Sequence, residues 1–183
     1  MELSVAVRNA QADAFETTIG TAPKVQIFTG LRPANCATAR SGTMLGNITA
    51  PSDWMSAASS GAKGLLGTWT DNSADAAGYA GYFSIMDSAG TTCHLQGIVS
   101  EAWATSKAYV VGQQASLNGN VYRCTTAGTS ASSGGPSGTG TGITDGSAVW
   151  SYVGPTEMVL DNTNIAAGQA ITITSFTYTR GNA

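Results

Sequence analysis

A long run nearly devoid of large side chains lies in the last third of this chain, and aromatic rings bracket it. Residues 125–146 read TTAGTSASSGGPSGTGTGITDG, almost entirely Gly, Ser, Thr and Ala. Such a run cannot bury enough apolar area to form a core of its own. Its flanks hold Trp103, Tyr109, Val110, Val111, Val121, Tyr122, Trp150 and Tyr152. They are expected to build a small two- or three-stranded module over residues 101–154, with the Gly-rich stretch as its loop. Removing that segment would join Thr91–Ser100 to Glu157–Leu160, two strand-like pieces of one sheet. This is the pattern of a module inserted into a surface loop of a host domain, here residues 1–100 together with 155–183.

In the host part, one helix is expected over Leu3–Ile19. Ser4 serves as its N-cap, Gly20 as its stop, and Leu3, Val7, Ala10 and Ala14 form a narrow buried stripe. Arg8, Gln11, Asp13 and Glu16 would then face outward. From Pro23 onward, short runs rich in β-formers alternate with turn residues. Strands are expected at Lys24–Thr29, Thr43–Ala50, Leu65–Thr70, Gly78–Met86, Thr91–Ile98, Glu157–Leu160 and Ala170–Tyr178. Asp87–Gly90 reads as a hairpin loop, and Pro51–Trp54 as the start of a helical turn running to Ser59. In the last strand, Ile171, Ile173 and Ser175 should face one way and Thr172, Thr174 and Phe176 the other. The fold class is mainly β: a β-sandwich or jelly-roll-like domain with an N-terminal helix, plus the small inserted β-module.

Composition limits the function. Hydrophobic residues make up 42%, enough for a packed core, but charged residues only 10%, against about 25% in ordinary soluble domains. A surface covered by Ser, Thr, Asn, Gln and Gly invites close neutral contact with other proteins or with glycans. Leu3, Val7, Trp54 and Trp69 are candidate anchors for contacts with other proteins. The net charge is −3, and the basic residues are scattered singly, so no stripe exists to neutralise several phosphates and nucleic-acid binding is not expected. No run of about 20 apolar residues suggests a membrane span. The first residues lack a basic stretch followed by an apolar one, so the mature chain is expected to start at or near Met1 and to be made in a cytoplasm.

No catalytic constellation emerges. His94, the one histidine, follows Cys93, but neighbours on a strand point to opposite faces and cannot readily cooperate. No His or Cys spacing supplies a metal site. Asp71–Asp75 lacks the oxygen-ligand pattern of a calcium loop and reads as a turn, while nothing selects a glycosidase pair from the scattered carboxylates. The Gly-rich run is not followed by the Lys-Ser/Thr of a phosphate loop. The three cysteines, Cys36, Cys93 and Cys124, allow a Cys36–Cys93 disulfide. Cytoplasmic synthesis favours separate small thiols instead. No catalytic residue, metal or cofactor is expected. The five rings Trp103, Tyr109, Tyr122, Trp150 and Tyr152 have two readings: a sugar-stacking face or, favoured here, the whole core of a small module.

The segments Ala102-Trp-Ala-Thr-Ser-Lys-Ala-Tyr-Val-Val-Gly112, Asn118-Gly-Asn-Val-Tyr-Arg-Cys124 and Gly146-Ser-Ala-Val-Trp-Ser-Tyr152 resemble a small module frequent in phage virion and tail proteins. It is similar to the carbohydrate-binding type found beside chitinases. Ser4–Ala10, Glu16–Gly20, Pro51–Met55 and Leu160–Ile165 resemble small structural proteins of tailed phages. The second resemblance implies a virion component on the outer surface of the particle, decorating or cementing the capsid through the major capsid protein and copies of itself. Alternatives are a carbohydrate-binding adhesion protein that holds surface glycans through the module, or a tail or head–tail connector component.

Overall fold

The computed structural model describes residues 2–181; Met1, where the mature chain is expected to begin, lies outside them. One helix, α1 (Val5–Ile19), precedes the strands β1 (Lys24–Thr29), β2 (Met44–Thr49), β3 (Ala62–Gly64), β4 (Trp69–Asp71), β5 (Gly78–Met86) and β6 (Cys93–Ala102). There follow β7 (Ala108–Tyr109), β8 (Gln114–Leu117), β9 (Asn120–Thr126), β10 (Gly128–Thr129), β11 (Ile143–Asp145) and β12 (Ala148–Pro155). The chain closes with β13 (Met158–Leu160), β14 (Asn164–Ile165) and β15 (Ile171–Thr179). The protein is mainly β, with one N-terminal helix and a large sheet that does not close into a barrel. No helix among the described residues is long and apolar enough to cross a membrane.

Strand β6 organises the sheet. Its first half pairs antiparallel with β5, which continues through β1 to β2. Its second half pairs in parallel with β13, and β13 pairs with β15, whose two ends carry β3 and β4. Val25, Ile27, Leu45, Ile48, Phe83 and Ile85 from the first arm share one core with Trp54, Trp69, Met158, Leu160, Ile171, Ile173 and Phe176. The parallel pairing of Val99–Glu101 with Met158–Leu160 places the two segments flanking residues 103–157 side by side.

Helix α1 has its expected caps: the Ser4 hydroxyl accepts from the Val7 N–H at 3.3 Å, and the Gly20 N–H donates to Glu16 O. Its docking face is not the expected one. Ala12 and Ile19 are buried, Val7 is 44% exposed, and Ala10 and Ala14 face solvent. Polar groups fix the helix instead. Arg8 donates to Ser60 O, Asn9 Oδ1 accepts from the Gly61 N–H, and Glu16 Oε1 accepts from the Met55 N–H. The ammonium of Lys63, buried, meets Asp13 at 2.8 Å and Glu16 at 2.7 Å. Lys63 holds the Asp13 carboxyl below its ordinary range, chiefly through their hydrogen bond. Phe15 completes the contact, stacked on Tyr178 with ring centroids 3.9 Å apart.

Other expectations also shift. The Leu65–Thr70 run is interrupted by Gly67 at φ +73°, so only Trp69 and Thr70 enter a strand. Residues 54–59 form isolated bridges, Met55 to Leu65 and Ser59 to Ala62, in place of a helical turn. In β15 the alternation breaks: Leu160 pairs with Ile173 while Val159 pairs with Ser175. Thr174 is thus an extra residue, and Phe176 joins Ile171 and Ile173 in the core. Cys36 and Cys93 are disulfide-bonded with Cα atoms 5.2 Å apart, and only Cys124 is a free thiol. The expectation of three separate thiols is overturned, because the loop after β1 returns to the start of β6. The proposed subunit anchors Trp54 and Trp69 are fully buried, with centroids 5.5 Å apart. They anchor the chain's own core and leave no surface for a neighbouring subunit. Leu3 is half-buried.

Candidate functional site

The segment after β6 carries a second hydrophobic cluster of its own: Tyr109, Ala115, Tyr122, Cys124, Ala148 and Trp150, with Trp103, Leu117, Ile143 and Tyr152 packed around it. Its sheet runs β11–β12–β9–β8, and β7 pairs with β10 beside it. This exceeds the two or three strands expected. Asn118 and Gly119, at φ +50° and +80°, form the two-residue turn that joins β8 to β9, the left-handed pair such a hairpin requires. The sheet is continuous with the rest of the chain through Glu101 and Ala102, which pair with Ala115 and Ser116.

The Gly-rich stretch is pinned in place by polar contacts. Ser130 Oγ donates to Ala104 O at 2.7 Å and accepts from the Lys107 N–H at 3.0 Å. The Ala131 N–H donates to Asp145 Oδ1, the Tyr122 hydroxyl to Gly138 O, and the Tyr152 N–H to Gly140 O. Backbone groups that could not find a core are satisfied by the ring-bearing strands. Gly135, at φ +92°, lies over Trp103, and a Cβ there would stand 3.0 Å from the indole.

The five rings are not equivalent. Tyr109 is 1% exposed, Tyr122 1% and Trp150 0%. These three fill the core and, as placed, offer no ring face to a sugar. Tyr109 meets Trp150 edge-on at 4.8 Å, and its hydroxyl accepts from the Ala104 N–H. Burial, opposed by that hydrogen bond and reinforced by Glu101 and Asp145, pushes its hydroxyl up to about 12. Trp103 and Tyr152 are half-buried and keep part of their rings at the surface. The Trp103 indole N–H donates to Asp145 Oδ2 at 2.8 Å, and Tyr152 leans edge-on against Tyr122 at 6.1 Å.

Glu101 was missed by the sequence reading. Its carboxylate is 1% exposed, yet it joins Lys107 at 2.6 Å and accepts from the Thr163 N–H at 2.9 Å. Gln114, fully buried, donates to Gly81 O and Val99 O while its oxygen accepts from Arg123. No pattern in the sequence marks these as partners, since they lie at the seam between distant segments. Among the described residues, no group of three or more His, Cys, Asp or Glu gathers to hold a metal. The Cys93 sulfur is committed to the disulfide, which removes it as a nucleophile beside His94.

The segment after β6 is thus an antiparallel unit with an aromatic core of its own and two half-buried rings, Trp103 and Tyr152, at its surface. Residues 102–150 match the family model of carbohydrate-binding module family 5/12. No curated protein and no solved structure matches the chain.

Proposed function

We propose that this chain is a non-catalytic glycan-binding protein. Residues 101–154 form its binding module, and residues 1–100 with 155–183 form the scaffold that presents it. The observation that carries this reading is the match of residues 102–150 to a carbohydrate-binding family. That match moves glycan binding ahead of capsid decoration, which the sequence reading had placed first. Trp103 and Tyr152 are the rings that would meet the sugar, because flat apolar faces suit the C–H faces of pyranoses. A place on the outer surface of a phage particle stays part of the proposal, supported by the resemblance of the scaffold segments and by the charge-poor composition.

The test is retention of the purified full chain on insoluble chitin, cellulose and a panel of immobilised glycans. Retention on at least one polysaccharide, reduced several-fold by Tyr152→Ala with the chain still folding cooperatively, is expected. Passage through every matrix without delay would overturn the reading.

A further inference from the structure

Arg123 sits on β9 between Tyr122 and Cys124 and points away from the ring cluster, toward the seam with residues 29–32 and 78–81. One terminal nitrogen donates to Gln114 Oε1 at 2.9 Å. The ion pairs among the described residues are Arg32–Glu157, Lys63 with Asp13 and Glu16, and Lys107–Glu101; Arg123 has no carboxylate. Burial alone draws its pKa down. A half-buried guanidinium without a counter-charge is costly to maintain, and its planar fork of donors matches a carboxylate.

Two clefts share Arg123 and Gly81 as their common wall. The first, of about 390 Å³, is bounded by Thr29, Tyr79 and Gly112. The second, of about 290 Å³, continues past Arg32, Val153 and Glu157. Each is close to or within the range of small-ligand sites, about 300–1,000 Å³. Tyr79 is 38% exposed, one of the few large apolar side chains left at the surface. Gly81 keeps the wall thin, since any Cβ there would run into the Gly30 carbonyl. In the second cleft, Glu157 is already engaged, accepting from the Ile98 N–H at 2.6 Å and facing Arg32 at 3.7 Å. The cation of the shared wall thus stands beside an exposed ring, with open space on both sides.

We propose that this seam binds an acidic oligosaccharide, Arg123 holding the carboxylate of a uronic acid residue and Tyr79 stacking on its pyranose ring. The inference rests on the glycan-binding reading for the nature of the ligand, but it concerns a different surface from Trp103 and Tyr152. The test is calorimetric titration of the full chain with trigalacturonate and with its neutral methyl ester, at low and high salt. The acid should bind about tenfold more tightly than the ester, the increment expected of a hydrogen-bonded charge pair, and the advantage should shrink with salt. Arg123→Gln should abolish the preference for the acid, and Tyr79→Ala should weaken both ligands several-fold, while retention on neutral polysaccharides through Trp103 and Tyr152 is unchanged. Equal affinity for acid and ester, or no binding of either, would overturn the inference even where neutral polysaccharide retention persists. Inorganic phosphate binding as tightly as trigalacturonate would also overturn it, as an anion site indifferent to sugar. Should Arg123→Gln fail to fold, the salt dependence and Tyr79→Ala still decide the outcome.

Discussion

The ammonium of Lys107 lies 2.6 Å from the carboxylate of Glu101, a side chain only 1% exposed that also accepts from the Thr163 N–H. One buried acid therefore ties the ring-bearing segment to the strand region near β14. Removing the lysine would leave that carboxylate with a backbone donor but no counter-charge. Breaking a fully buried pair costs about 3–5 kcal/mol; with Lys107 37% exposed, Lys107→Met is expected to cost about 2 kcal/mol. Glu101→Gln combined with Lys107→Met should recover part of the loss, because no buried charge is then stranded. Urea unfolding of the three variants measures it, and a double variant no better than Lys107→Met would refute the pairing argument.

Tyr109 should make the protein sensitive to alkali. Its hydroxyl ionises near pH 10 in an unfolded chain and near 12 in the folded one. Between those values the unfolded state binds fewer protons, so stability falls as pH rises from 10 toward 12. The loss approaches about 2.7 kcal/mol at the upper end. Tyr109→Phe should remove this dependence while costing about 1 kcal/mol at neutral pH, since the Ala104 N–H loses its acceptor. Tyrosinate absorbance of the parent should show a late-titrating component that Tyr109→Phe removes. Complete titration with a single midpoint near 10 would contradict it.

Reduction should weaken the protein without dissolving its fold. The Cys36–Cys93 bond spans 57 residues of sequence, and closing a loop of that length stabilises by about 4 kcal/mol in the chain-entropy account. Paired Cys36→Ser and Cys93→Ser replacements, compared with the parent by urea unfolding, should show a loss of that order. In the parent, only Cys124 should react with a thiol reagent, and only after unfolding, because it is buried. An unchanged urea midpoint would count against the bond.

These outcomes mark where local sequence pattern informs and where it fails. Lys24–Thr29 and Gly78–Met86 were legible to the residue, because β-rich runs there end in Gly, Pro or Asp. The caps of α1 were equally plain. Its docking face was not: the rule that apolar residues turn inward pointed to Val7 and Ala14, whereas Arg8, Asn9 and Glu16 are drawn to unpaired groups at Ser60–Lys63. Period-two counting along Ile171–Tyr178 failed at Thr174, since a bulge depends on the partner strand. The aromatic make-up of the candidate site was visible, but which rings are buried depended on how the Gly-rich stretch folds over them. Glu101 and Gln114 were invisible because each also finds partners in a distant segment, Glu101 at Thr163 and Gln114 at Gly81 and Val99.

Asp145 offers the sharpest test of that seam-independent architecture, because one carboxylate serves two donors of different origin. Its Oδ2 accepts the Trp103 indole N–H at 2.8 Å, and its Oδ1 the Ala131 N–H at 2.9 Å. Asn at this position has one oxygen and one NH2, so one of the two donors would face another donor. The stranded group is expected to cost about 1–3 kcal/mol. Asp145→Ala should lose both contacts and release the loop from Ala131 onward, freeing the Trp103 ring to leave its present orientation. Amide exchange should therefore quicken at Ala131 in both variants, with Trp103 fluorescence altered more in Asp145→Ala. If Trp103 meets the glycan, polysaccharide retention should fall in the same order, parent above Asp145→Asn above Asp145→Ala. Full retention in Asp145→Ala, alongside faster exchange, would separate Trp103 from binding and leave Tyr152 as the ring that carries it.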